Sequence, residues 1–155
     1  MTRASPRSIG YLAGALFVAA LGLVAPSASA DRPATAVLTM RLSLKNNSGQ
    51  VGCLLFNAAN GFPKDPSAAL QRQWCPIASS GSICSFDPIP SGRYAVACFH
   101  DENSNGKLDT GLFGIPTEGT VASNHAKGFL GPPSFDDASF SFSGAPTDLR
   151  LKMSY

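Results

Sequence analysis

Charge is scarce in this chain. Only 14% of its 155 residues are Asp, Glu, Lys or Arg. Once Arg3 and Arg7 are set aside with the N-terminal segment discussed below, ten Lys and Arg face ten Asp and Glu, a formal charge of zero. A neutral sum withholds the positive footprint that nucleic acid or an anionic membrane asks of its main partner. Nothing after Val24 is apolar over the roughly 20 residues that a membrane-crossing helix takes. The usual signatures of catalysis are missing as well. There is no Walker loop, no G-x-G-x-x-G and no G-x-S-x-G elbow, and Ser123-Asn124-His125 resembles none of them. The four cysteines form no C-x-x-C pair; their spacings of 22, 9 and 14 argue against zinc.

What is present begins with an N-terminal segment in three parts. Arg3 and Arg7 are basic, Ile9 to Val24 is apolar, and Pro26-Ser27 precedes Ala28-Ser29-Ala30, the small residues a signal peptidase needs. Residues 1–30 are therefore expected to be a secretory signal peptide, and residues 31–155 a single domain, periplasmic or secreted. An uncleaved anchor is the competing reading, weakened by the shortness of the apolar run. An even set of cysteines in an exported chain implies two disulfides. The expected pairing is Cys53–Cys84 with Cys75–Cys98, and Cys75–Cys84 is the rival.

The pattern after residue 35 is that of strands. Leu38, Met40, Leu42 and Leu44 alternate with Thr39, Arg41, Ser43 and Lys45, a period of two with one buried face. Asn46-Asn47-Ser48-Gly49 is a turn signal, so residues 36–45 and the apolar 50–57 read as a hairpin. Asp65-Pro66 reads as a helix start leading into 67–74. Strands are expected over 82–87, 93–100, 138–142 and 148–155, with a long polar loop over 101–137. These add up to an all-β, antiparallel two-sheet sandwich with one short helical turn. Its core is expected from Leu38, Met40, Leu42, Leu44, Leu55, Phe86, Tyr94, Val96, Phe140, Leu149, Leu151 and Met153.

The stretch FHDENSNGKLDTG carries the chemistry. Calcium loops place side-chain oxygens at positions 1, 3 and 5, glycine at 6, a carbonyl at 7 and a further ligand at 9. Here those are Asp101, Asn103, Asn105, Gly106, Lys107 through its carbonyl, and Asp109. Position 12, which should be a bidentate acid, is Leu112, and no helices flank the loop. It is not an EF-hand. Glu118, or a residue near Asp136-Asp137, is the candidate to complete the shell. With two carboxylates at the ligand positions, Asp101 and Asp109, affinity for calcium would fall at roughly 0.1–1 mM. The competing reading is a polar turn whose Asn and Asp side chains cap their own backbone.

His100, Glu102 and Asn124 are further polar candidates. His100 with Asp101, Glu102, Asp109 and Glu118 would make the site of a small hydrolase, the alternative from another class. A histidine ending a buried strand is more often a bonded structural group. Trp74, Phe62 and Phe135 are candidates for a sugar- or peptide-binding platform, against the commoner use of such rings as packing.

With these residues laid out, the chain resembles an exported bacterial family known as domain-of-unknown-function family 2141. GQVGCLLFNAANGFPKDP, PSGRYAVACFHDENSNGKLDTGLFGIPTEG, SNHAKG and GPPSFDDASF carry the likeness. The resemblance implies a transthyretin-like or immunoglobulin-like sandwich, periplasmic or secreted, and no established activity. It departs at Ser104, where the family favours glycine, and at His125, where it favours asparagine. The loop is also similar to the D-x-N-x-N-G-x-x-D calcium loops that cell-surface adhesins carry on a sandwich. The function expected is a binding or accessory module with calcium as its cofactor and a protein or glycan partner at the cell envelope.

Overall fold

The computed structural model describes Met1, residues 34–79 and residues 81–155. Beyond Met1, the expected signal segment lies outside the described residues. Among the described residues nine strands form two layers. The first is β4 (Ile77–Ala78), β5 (Gly81–Pro90), β1 (Thr35–Ser43) and β9 (Thr147–Lys152), in that order. The second runs β3 (Gln71–Cys75), β2 (Gln50–Phe56), β6 (Gly92–Asp101) and β7 (Gly119–Ala122). β8 (Phe140–Phe142) pairs with the start of β6, on residues 92–94, while β7 pairs with residues 97–100. No helix among the described residues is long and apolar enough to cross a membrane.

Alternation dictates the layering. Ala36, Leu38, Met40 and Leu42 of β1 are buried and their neighbours face outward. They meet Val51, Cys53 and Leu55 of β2 and Tyr94, Val96 and Cys98 of β6 in one core. All twelve expected core residues join it, with Leu44, Phe140 and Leu149 partly buried at its margin.

Four expectations are corrected. β1 and β2 form no hairpin: β1 is flanked by β5 and β9, and β2 by β3 and β6 in the other layer. The turn at 46–49 is real, with the Asn46 carboxamide accepting the Ser48 N–H at 2.9 Å. It carries the chain from one sheet to the other instead of folding it back. Gly49 (φ +70°) lies so close to the Asp101 carbonyl that a Cβ would collide with it. Second, β9 runs parallel to β1, Leu38 opposite Thr147 through Ser43 opposite Lys152, so the sandwich is not purely antiparallel.

Third, residues 67–74 are not helical. Asp65 does cap the turn, its Oδ1 accepting the Ser67 N–H at 2.8 Å, but residues 71–75 extend along β2. Strand pairing overrides the local helix signal. The helical turn is α1 (Phe135–Ala138), capped by Ser134, inside the stretch expected to be loop, which also holds β7. Fourth, the disulfides are Cys53–Cys98 and Cys75–Cys84. Cys53 and Cys98 lie directly opposite on β2 and β6 with their Cα atoms 4.2 Å apart, the close spacing of a non-hydrogen-bonded pair. Cys75 on β3 reaches Cys84 on β5 and so ties one sheet to the other.

Candidate functional site

β6 delivers His100 and Asp101 to the mouth of the polar loop, and the chain returns through Glu118 into β7. Asp101 is fully buried. Its Oδ1 accepts the Asn105 N–H at 3.0 Å, and its Oδ2 accepts the Gly106 N–H at 2.8 Å and the Gln50 amide at 2.9 Å. Burial pushes this carboxyl up, but the donors from Gln50, Gly106 and Asn105 outweigh it and hold the group below the usual carboxylate range.

The same device repeats along the loop. Asn103 Oδ1 accepts the Asn105 N–H and Asn105 Oδ1 accepts the Lys107 N–H, both at 3.0 Å. Side-chain oxygens at alternate positions each fold the backbone that follows them. Gly106, at φ +82°, makes the left-handed turn with open space around it. Asp109 closes the far side, accepting the carboxamide N–H groups of Asn103 at 2.7 Å and Asn105 at 3.0 Å.

Glu118 lies buried beneath. Its Oε1 accepts the Glu102 N–H at 2.8 Å and its Oε2 the Asp109 N–H at 2.9 Å, so one carboxylate clamps both ends of the loop. Glu102 itself faces away, to Lys45 at 2.8 Å and the Asn46 amide at 3.0 Å, and these partners hold its carboxyl low. Lys107 is exposed.

His100 is fully buried and doubly bonded. Nε2 lies 2.7 Å from the Ser48 carbonyl, which can only accept, so Nε2 carries a hydrogen. Nδ1 lies 2.7 Å from the Tyr155 hydroxyl, which also accepts the Lys45 N–H at 3.2 Å. Asn124 works elsewhere: its carboxamide donates to the carbonyls of Asp137 and Ser139 at the end of α1. Ser123, buried beside it, accepts the Val96 N–H and donates to the Ala138 carbonyl at 2.6 Å. The three aromatics also part company. Phe62 stacks edge-on between Phe56 and Phe135, whereas Trp74 stands against Phe99 on an open face.

Gln50, Ser48, Tyr155 and Ser123 escaped the sequence reading. Gln50 sits directly opposite Asp101, and Val51 opposite His100, so the register between β2 and β6 was the missing signal. Among the described residues no three carboxylate, imidazole or thiolate groups gather where they could hold a metal. Any ion at this loop would rest on Asp101, Asp109, the two asparagine carbonyls and the Lys107 carbonyl. The fit is conditional on Asp109: its carboxylate must exchange two amide donors for the ion.

A family model described as uncharacterized protein conserved in bacteria (DUF2141) matches residues 42–150. The chain belongs to this family. The match enters within β1, leaves within β9, and contains the whole DUF2141 loop from Asp101 to Glu118. No curated protein and no solved structure matches the chain.

Proposed function

We propose that this DUF2141 protein is an exported binding or accessory module, periplasmic or secreted, with a sandwich of transthyretin-like or immunoglobulin-like type and a loop at 101–109 that takes up calcium. One observation carries the ion reading. Asp101 Oδ1, Asn103 Oδ1 and Asn105 Oδ1 each accept a backbone N–H from farther along the loop. Each such oxygen retains a second lone pair, and hard cations take oxygen donors from such alternating positions. Glu118 lies buried beneath the loop with one backbone N–H on each oxygen, and acts as a strut that keeps the loop's ends together. Two buried disulfide bridges support export, because such bonds persist in oxidising compartments.

Binding is favoured over hydrolysis by the same bonds. His100 has both ring nitrogens engaged and no exposure, and Glu118 has both oxygens engaged. A general base needs a free nitrogen or oxygen within reach of a substrate. Calorimetric titration of the purified protein with calcium tests the reading, beside an Asp101→Ala/Asp109→Ala variant. Saturable heat and a rise in thermal midpoint are expected at calcium near about 1 mM, and both vanish in the variant. Absence of heat and of any thermal shift in the parent protein at that concentration overturns the calcium assignment.

A further inference from the structure

Beside the loop, one end of the outer face of the five-stranded sheet forms the floor of a groove of about 1950 Å³. Two cross-strand rows pave it. Trp74, Gly52, Phe99 and Thr120 form one, and Arg72, Leu54, Ala97 and Ala122 the other. Gly52 has a specific use here: a Cβ would stand 2.6 Å from the Phe99 ring, so glycine lets that ring cross β2 and meet Trp74 edge-on. The segments on either side of β7, residues 106–116 and 125–133, supply the walls. Phe113 and Leu130 stand on them, 97% and 94% exposed, at φ values of 61° and 60°. Bulky residues rarely occupy that left-handed region, and such strain collects at ligand-binding segments.

The charge around the groove has one sign. Lys64, Arg72, Lys107, Lys127 and Lys152 line it, and no Asp or Glu does. None of the five joins an ion pair among the described residues. The neighbouring carboxylates of Asp101 and Glu118 are turned inward onto backbone N–H groups, leaving Lys107 and Leu108 on the groove side. A glycan would ask for side-chain amides and carboxylates to bond its hydroxyls, and the groove offers Gln73 alone of that kind.

We propose that this groove binds an amphiphilic anion, a single molecule with an elongated apolar body and an acidic head group. The body lies over Ala97, Phe99 and Trp74; the head group meets the lysines on the rim. Charge complementarity selects the sign, and the aromatic floor selects the apolar body. This names a ligand class for the binding-module reading and does not depend on the calcium ion.

Trp74 is the sole tryptophan of the chain, so its emission reports the floor directly. The purified protein is titrated with dodecanoate below its micellar concentration, and in parallel with dodecanol, dodecyltrimethylammonium and vesicles of anionic phospholipid, in calcium and in chelator. A saturable one-to-one change with dodecanoate is expected under both conditions, at least about tenfold tighter than with the neutral or cationic analogue. Lys64→Glu/Lys127→Glu, two exposed positions outside the calcium loop, is expected to weaken dodecanoate about tenfold while circular dichroism and thermal midpoint stay put. Equal affinity for all three amphiphiles, no saturable response, an unaffected variant, or a response to vesicles alone would each overturn the proposal. If calcium binds in calorimetry while dodecanoate does not, the module reading stands and the ligand class falls.

Discussion

Along β2 and β6 the outer face of the five-stranded sheet changes character within a few residues. At one end Phe56 and Ala95 are fully buried beneath Phe62 and Phe135. At the other, Gly52 and Phe99 lie beside a half-exposed Trp74. The strands and the ladder are the same in both places. The difference lies in what the neighbouring chain does. Residues 57–70 and α1 fold over the first end, with Arg93 reaching Asp136 at 2.9 Å and lying over the Phe135 ring. The two loops that frame the second end line a groove and leave its floor uncovered. A roofed face is filled with large rings; the open end carries Gly52 and Ala97, small residues that leave room.

Truncating a ring at each end gives the largest contrast. Phe56→Ala is expected to cost about 3–5 kcal/mol by chemical denaturation, since it empties a closed space. Phe99→Ala, only partly buried, is expected to cost about 1 kcal/mol yet to change Trp74 emission strongly. Equal costs would erase the distinction between the two ends. A middle-sized effect belongs to the polar loop beside the groove. Asp101→Asn removes an acceptor that N–H donors surround, and a loss of about 1–3 kcal/mol is expected.

The acid side of that variant's stability curve carries the sign. The Asp101 carboxyl sits below its ordinary value of 3.8, so across this window the unfolded chain binds the proton more readily. Stability therefore rises with pH there. The contribution is fully present above that ordinary value and disappears as pH falls through the lower, folded one. Parallel acid-side profiles for parent and variant would count against it. The smallest effect is expected at the roof: Arg93→Ala breaks an exposed ion pair and should cost less than about 1 kcal/mol, leaving Phe135 in place.

How far the sequence could be read follows from the range of each signal. Alternation is local, so the buried face of β1 and all twelve core residues were legible. Pairing is not local. Asn46 to Gly49 has the composition of a hairpin turn, and only the partners β5 and β9 reveal that it crosses between layers. The cysteine pairing failed for the same reason, because Cys53 opposite Cys98 is a statement of register. The acidic loop was legible because its spacing is internal: Asp101, Asn103 and Asn105 bond their own backbone. Its supports were not, since Gln50 arrives from β2, Ser48 from the turn before it and Tyr155 from the segment after β9. The neutral charge sum concealed most. It averages away five cations gathered on one groove and carboxylates folded inward beside it.

The half-cystines offer one more use. All four half-cystines are nearly inaccessible, Cys53 at 0% exposure and Cys75 at 6%. A small thiol reagent attacks sulfur only on contact, so reduction must wait for the layers to part. Reduction kinetics under native conditions would thus serve as a stopwatch on breathing: the Cys75–Cys84 bridge clocks separation of the sheets, and Cys53–Cys98 clocks opening between neighbouring strands of one sheet.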